Sequence, residues 1–183
     1  MSRKYKVWDQ NKLYFVTFAV IRWLDVFTRR EYKDIFIDSL RYCQKHKGLE
    51  LYAYCIMPNH VHMIIGRKSA QSLQRMVRDI KKYTSVKIFE AIENNPKESR
   101  KELFLWLFRR AGEANSNNVN HQFWQQHFHP IELSTNEMLE QRLNYIHQNP
   151  VKAGMVLSPE DYLYSSAVNY SGLPDKMIDV ILI

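Results

Sequence analysis

The sequence lacks the features of a membrane-spanning protein, of a secreted protein and of a protein with a structural zinc site. No apolar run approaches the roughly 20 residues that a helix needs to cross a bilayer, and the basic residues 1–10 are not followed by the apolar segment of a secretion signal. Its two cysteines, Cys43 and Cys55, lie in neither a CxxC nor a Cys/His zinc spacing. These absences predict buried thiols, no membrane partner and a cytoplasmic location.

The composition is typical of a globular domain with an excess of positive charge. The 183 residues suffice for a single domain, 1–183, with a full hydrophobic core. The net charge of +7 favours a polyanionic partner, although a solvated basic surface gives the same count. Aromatic residues make up 13% of the chain. Binders of single-stranded nucleic acid use such rings for bases and basic side chains for phosphates, but core packing also accounts for aromatic residues.

Hydrophobic periodicity and capping residues predict an α+β fold. Strands are predicted at 12–20, 49–57, 60–66 and 123–133, and helices at 29–46 between a Thr28 cap and Gly48, at 73–92 after Ser72, and from a cap at Ser134 or Thr135 to Pro150. The first six elements match the ferredoxin-like βαββαβ pattern, an antiparallel sheet with helices on one face, and the seventh is an additional C-terminal helix. Residues 94–121 are polar and less regular, which predicts an insertion with a short helix.

Two histidines open the third predicted strand, in the segment YCIMPNHVHMIIG (54–66). Because side chains alternate along a strand, His60 and His62 lie on one face and can ligate one divalent ion. Two hydrogen-bonded strand histidines would look the same in sequence. His127 and His129 have the same spacing, but Pro130 interrupts that strand.

Two imidazoles are too few ligands for a cation, and Mg²⁺ prefers oxygen. The segment RLNYIHQNPVKAG (142–154) offers Tyr145 and Asn149, four residues apart on one helical face. At about 100° per residue, both fall on the shoulder of the apolar stripe, which consists of Leu139, Leu143 and Ile146. That position suits a cleft beside the sheet, although amphipathic packing also explains a tyrosine there.

PNHVHMII (58–65) together with YIHQNPVKAG (145–154) resembles the single-tyrosine HUH transposases, in particular the REP-associated tyrosine transposase family. FWQQHF (123–128) and DYLYSSAVNY (161–170) are also similar to segments of that family. The resemblance implies that His60 and His62 are the metal-binding pair, Tyr145 the nucleophile and Asn149 an amide ligand of Mg²⁺ or Mn²⁺. Many insertion-sequence relatives have Gln where this chain has Asn149, which places it nearer the REP-associated branch.

The implied function is that of a DNA transposase, which cuts and rejoins hairpin-containing single-stranded DNA through a 5′-phosphotyrosine. Relatives act as monomers or as dimers, so the resemblance allows a homodimer but does not require one. One alternative is a non-catalytic ferredoxin-like module that binds single strands through Tyr52, Tyr54 and Phe18. Another is a metal-dependent nuclease that uses water in place of the tyrosine.

Basic side chains supply candidates for contacts to the DNA backbone. They are Arg75, Arg78 and Lys82 of the second predicted helix, Arg109 and Arg110, and Lys152. Such contacts give salt-dependent affinity and little sequence information. A solvated basic face is the equally simple interpretation of the helix.

Overall fold

The structure is a computed structural model that describes residues 7, 9–114, 120–126 and 128–183. The strands are β1 (Tyr14–Ala19), β2 (Leu49–Ile56), β3 (His60–Arg67) and β4 (Ile131–Glu132), and the helices are α1 (Arg30–Lys47), α2 (Leu73–Asn94), α3 (Lys101–Glu113), α4 (Asn136–Lys152) and α5 (Ala167–Tyr170). Short 3₁₀ turns occupy Ile21–Trp23 and Pro159–Asp161. Within the described ranges, no helix has the length and apolar character needed to cross a membrane.

The four strands form one antiparallel sheet in the order β2-β3-β1-β4. This is the strand order of a ferredoxin-like βαββαβ fold, so the predicted α+β class is confirmed. The register places Thr17 of β1 opposite His62 of β3 and Ala19 opposite His60. The two histidines therefore lie in the middle of the sheet, on a strand that is paired on both sides.

The two faces of the sheet are covered by different helices. Helices α1 and α2 pack together on the face that includes Phe18, whose ring centroid lies 6.2 Å from that of Phe36 in α1. Helix α4 contacts β2 and β3. Because neighbouring residues of a strand point to opposite faces, Thr17 and its partner His62 lie on the face opposite Phe18. The Tyr145 ring of α4 reaches His62 there, so α4 covers this second face.

Most of the predicted helix ends are observed. Gly48 ends α1 in the left-handed conformation with φ 72°, and Thr135 caps α4 by accepting a hydrogen bond from the Met138 N–H. The Thr28 cap is wrong. Helix α1 begins after Arg29, and the Thr28 hydroxyl instead accepts a hydrogen bond of 3.0 Å from the guanidinium of Arg100.

The predictions for the fourth strand and for the end of α4 need correction. Strand β4 has only two residues, preceded by one isolated bridge between Val20 and Trp124. Trp124 joins a buried aromatic cluster, and Pro130 has no N–H for a ladder; the described residues between them, 125–126 and 128–129, are not in a strand. Helix α4 continues past Pro150 to Lys152, because a proline this close to the end removes only one helical hydrogen bond.

The described part of residues 94–121 contributes one face of α3 to the core. Phe104 and Phe108 of α3 are buried, and the Phe108 ring lies 5.1 Å from the ring of Phe123. The Gln122 N–H donates to the Phe108 carbonyl at 2.9 Å, which ties the following segment back to α3. Residues 115–119 lie outside the described ranges. The interpretation of residues 94–121 as an insertion stays a prediction.

Candidate active site

The histidine pair follows a tight turn at Pro58-Asn59. The Met57 N–H donates to the His60 carbonyl at 2.8 Å, which closes the turn, and β3 begins at His60. The ring centroids of His60 and His62 lie 4.6 Å apart. The two imidazoles therefore share one face of the sheet, as their spacing predicts.

Each imidazole is oriented by a hydrogen bond at Nδ1. His60 Nδ1 lies 2.6 Å from Asn59 Oδ1, and His62 Nδ1 lies 2.8 Å from Thr17 Oγ1. An amide oxygen only accepts, so His60 Nδ1 has the proton and Nε2 has the lone pair. His62 Nε2 is buried, and no described residue gives it a hydrogen-bond partner. A buried polar atom in this state indicates a ligand position.

The electrostatics of the pair favour metal binding. Burial lowers the pKa of His60 to about 4. Burial, aided by the charges of His60 and Arg142, lowers the pKa of His62 to about 3. Both rings are therefore neutral at neutral pH, the form in which imidazole coordinates a cation.

Helix α4 brings Tyr145 to this pair within the same chain. Its ring centroid lies 5.2 Å from that of His62 and 6.0 Å from that of Phe15. Ile146 is fully buried, whereas Tyr145 is 38% exposed. The tyrosine thus lies on the shoulder of the helix, open to solvent, as the helical spacing predicts.

Asn149 lies one helical turn after Tyr145 and is half-buried. Its backbone carbonyl accepts from the Ala153 N–H, but its side chain makes no hydrogen bond to any described residue. No group of three or more His, Cys, Asp or Glu residues that could hold a metal occurs in the described ranges. A cation at His60 and His62 would therefore take oxygen from an amide, from water or from a bound phosphate, a donor set that fits Mg²⁺ or Mn²⁺.

Three neighbours of His62 were not predicted from the sequence: Thr17, Phe15 and Arg142. The Phe15 ring stacks on His62 at 5.3 Å, and the Arg142 guanidinium lies 5.0 Å above the Phe15 ring. The two β1 residues could be assigned only once the register of β1 against β3 was known. Arg142 could have been predicted from the sequence as a neighbour of the site, because it lies about one helical turn before Tyr145 on the same side of α4.

A loop beside His60 has an unusual backbone. Trp23 is 54% exposed, and its ring centroid lies 5.5 Å from that of His60. Arg22 and Trp23 have φ values of 52° and 56°, and no other described residue except glycine has a positive φ. This left-handed conformation costs about 1–2 kcal/mol per residue for an L-amino acid.

Of the rival histidines, only His129 is among the described residues. His127 lies outside the described residues, and His129 is exposed and belongs to no strand.

The structure gives little support to the alternative, a non-catalytic module that binds single strands. Two of its three aromatic rings, Phe18 and Tyr54, are buried and offer no face to a nucleobase.

The predicted DNA-contacting residues are dispersed. Arg75, Arg78 and Lys82 are exposed on α2, which covers the sheet face opposite Tyr145. On α3, Arg109 pairs with Glu93 at 2.9 Å, and the Arg110 guanidinium lies 5.2 Å from the Trp106 ring centroid. Lys152, the last residue of α4, is exposed on the same helix as Tyr145.

Comparisons with known proteins show which proteins the chain is similar to. The chain is similar to a REP-associated tyrosine transposase solved with a bound REP hairpin, with 19% identity, a TM-score of 0.65 and coverage of 99% of this chain and 94% of that chain. A transposase candidate from Deinococcus radiodurans gives 17% identity, a TM-score of 0.45 and coverage of 79% and 95%. No curated protein sequence matches. A sequence model of the IS200-like transposases matches residues 10–107, more than half of the chain. The chain therefore belongs to the IS200-like transposase family, a family of enzymes that act on DNA.

Proposed function

We propose that this transposase cuts and rejoins single-stranded DNA with Tyr145 as the nucleophile. The observation that supports this most directly is the 5.2 Å separation of the Tyr145 and His62 rings within one chain. A partly exposed phenol next to two neutral imidazoles, of which His62 is buried and His60 half-buried, supports a nucleophile acting beside a metal-binding pair. A scissile phosphate bound over the pair would lie within reach of both.

The proposed step is a transesterification. Tyr145 loses its phenolic proton, and its oxygen attacks the phosphorus in line. The bond from phosphorus to the 3′ oxygen breaks, and that oxygen takes up a proton to leave as a 3′-hydroxyl. The product is a 5′-phosphotyrosine. Because the energy of the phosphodiester is retained in this bond, a 3′-hydroxyl of another strand can reverse the step and rejoin the DNA.

The surrounding residues have separate roles in this scheme. When bound by His60, His62 and Asn149, a divalent cation supplies Lewis-acid polarisation of a non-bridging phosphate oxygen. Asn59 Oδ1 accepts from His60 Nδ1, and in this scheme the Thr17 hydroxyl accepts from His62 Nδ1, so that both Nε2 lone pairs are available. Arg142 has no ion-pair partner among the described residues and adds a positive charge beside His62, where the phosphate and the developing phenolate are stabilised.

The proposed substrate is single-stranded DNA with a hairpin. The net charge of +7 suits a polyanion. The REP-associated relative of similar fold was solved with a REP hairpin bound. Since Tyr145 reaches a histidine of its own chain, the chemistry requires no tyrosine from a second copy.

Trapping the protein on labelled DNA tests this proposal. The protein is incubated with Mn²⁺ and a pool of hairpin oligonucleotides that have randomised single-stranded flanks and a label on the 3′ side. We expect label to stay with the protein after denaturation, because a 5′-phosphotyrosine is covalent, and peptide mapping to place it on Tyr145. Cleavage without any labelled protein would instead support the nuclease that uses water.

The basic face of α2 gives a second prediction, on affinity. Replacing Arg75, Arg78 and Lys82 by glutamate should weaken hairpin binding and make the slope of log Kd against log salt shallower by about two, since each contact to a single strand contributes about 0.7. Filter binding over a salt series measures this slope. The same change at exposed Lys12, Lys45 and Lys97 alters net charge equally and serves as the control. Equal slopes in the two triple variants would show that α2 makes no specific backbone contacts.

A further inference from the structure

Trp23 is a large aromatic side chain that the proposed chemistry does not use. Its ring lies edge to face against His60, at 5.5 Å between centroids and 74° between planes. More than half of its surface is exposed, at 54%. The indole is therefore not a core residue, and its free surface borders the place where a scissile phosphate would bind.

The backbone holds Trp23 there against its conformational preference. The Trp23 N–H donates to the Val20 carbonyl at 3.0 Å, and the Val20 N–H donates to the Asn59 carbonyl at 2.9 Å. The Asn59 side chain in turn donates to Asp25 at 2.8 Å. These bonds hold the 3₁₀ turn against the turn that precedes the histidine pair, so the backbone of Trp23 is held beside His60.

Folding alone does not explain a tryptophan at this position. Glycine or asparagine adopts positive φ with less strain than other residues, and neither would expose an indole to water. A strained, exposed aromatic residue held beside a functional group is typical of a ligand contact. The neighbouring Arg22 is also exposed, and it forms no ion pair with the described residues.

We propose that Trp23 stacks on an unpaired nucleobase next to the scissile phosphate, and that Arg22 contacts the phosphate of that nucleotide. This inference rests on the proposed function, because it takes His60 as part of the cleavage site. Aromatic faces bind single strands by stacking on bases with little sequence preference. Stacking one base on Trp23 would also fix the path of the strand, and thereby the position of the phosphate beside Tyr145.

The stacking contact is tested by measuring affinity for combinations of protein variants and modified DNA probes. The probe is a hairpin oligonucleotide with a single-stranded oligothymidylate flank, in which each thymidine is replaced in turn by an abasic site. Every protein has the Tyr145→Phe change, so that only binding is measured. Trp23→Gly removes the ring and suits the left-handed backbone, and Trp23→Phe retains a smaller ring. Tyr42→Ala, an aromatic of 56% exposure on α1, is the matched control.

We expect Trp23→Gly to bind the intact probe about tenfold more weakly, with Trp23→Phe in between and Tyr42→Ala unchanged. One abasic position should abolish the difference between the Trp23→Gly protein and the protein that retains Trp23, because the stacking partner is then missing. Thermal melting should show Trp23→Gly no less stable, since glycine relieves the backbone strain. Equal affinities for the intact probe, or a difference that persists at every abasic position, would overturn the stacking contact.

This binding test is independent of cleavage, so the two proposals fail separately. If the protein with an intact Tyr145 forms no covalent adduct, the proposed function is contradicted. The stacking contact of Trp23 is still decided by the affinities for the intact and abasic probes. A Trp23→Gly protein that changes its oligomeric state by light scattering, without coupling to any flank position, would assign the indole to contacts between copies and overturn the inference.

Discussion

Tyr145→Phe should abolish the covalent protein–DNA adduct while hairpin binding remains. The change removes only the phenolic oxygen, and the ring that contacts Phe15 and His62 is retained. Loss of a nucleophile lowers turnover by on the order of 10⁴-fold or more, because no neighbouring group replaces its covalent bond to the substrate. Denaturing gels with labelled oligonucleotide measure the adduct, and filter binding measures affinity.

A matched control separates this effect from a general loss of a tyrosine. Tyr83→Phe changes another tyrosine, 49% exposed, on α2 and on the other side of the sheet, and should leave the adduct unchanged. An adduct that persists in Tyr145→Phe and maps to a different tyrosine would falsify the nucleophile assignment. If Tyr145→Phe also loses hairpin binding, the missing adduct follows from the lost binding and gives no support to Tyr145 as the nucleophile.

The parts of the site that the sequence predicted are those determined by local periodicity. Alternation along a strand places His60 and His62 on one face, and helical spacing places Tyr145 and Asn149 on the shoulder of α4. Neither pattern gives the distance between the two elements. That distance depends on how α4 packs on β2 and β3, which only the folded chain defines.

The parts that were missed depend on pairing and packing between distant segments. Thr17 is the hydrogen-bond partner of His62 because β1 and β3 pair in a particular register, which residue composition does not reveal. The predicted fourth strand is shorter than expected: among the described residues only Ile131–Glu132 and the bridge at Trp124 pair with the sheet, and the Trp124 ring packs in an aromatic cluster with Phe27 and Phe36. Positive charge likewise says nothing about which side of the sheet a helix covers.

The topology explains why the site lies where it does. In a ferredoxin-like sheet the two crossover helices cover one face, and here α1 and α2 bury Phe18 and its neighbours there. The other face of the central strands is left for α4. A polar pair such as His60 and His62 is tolerated on that face because Asn59 and Thr17 satisfy their Nδ1 atoms.

His60→Ala and His62→Ala should each abolish metal-dependent cleavage and weaken Mn²⁺ binding in the absence of DNA. Each change removes one of two neutral imidazole donors, and the remaining imidazole with the amide of Asn149 supplies too few ligands to hold a cation tightly. Thr17→Val is the milder variant. It keeps the imidazole of His62 but removes the hydroxyl at 2.8 Å from Nδ1, so the ring is no longer oriented. Loss of such a partner lowers metal affinity by about 10–100-fold. Calorimetric titration with Mn²⁺ measures all three affinities.

Two comparisons make this prediction specific to the site. His46→Ala removes an exposed histidine of α1 and should change neither Mn²⁺ affinity nor cleavage. Mixing the His62→Ala and Tyr145→Phe proteins should not restore the adduct, because the ring contact between these residues lies within one chain. Restored activity in the mixture would show that the tyrosine serves a partner's histidines. Unchanged Mn²⁺ binding in both histidine variants would place the cation elsewhere and leave the orphaned Nε2 of His62 without a ligand.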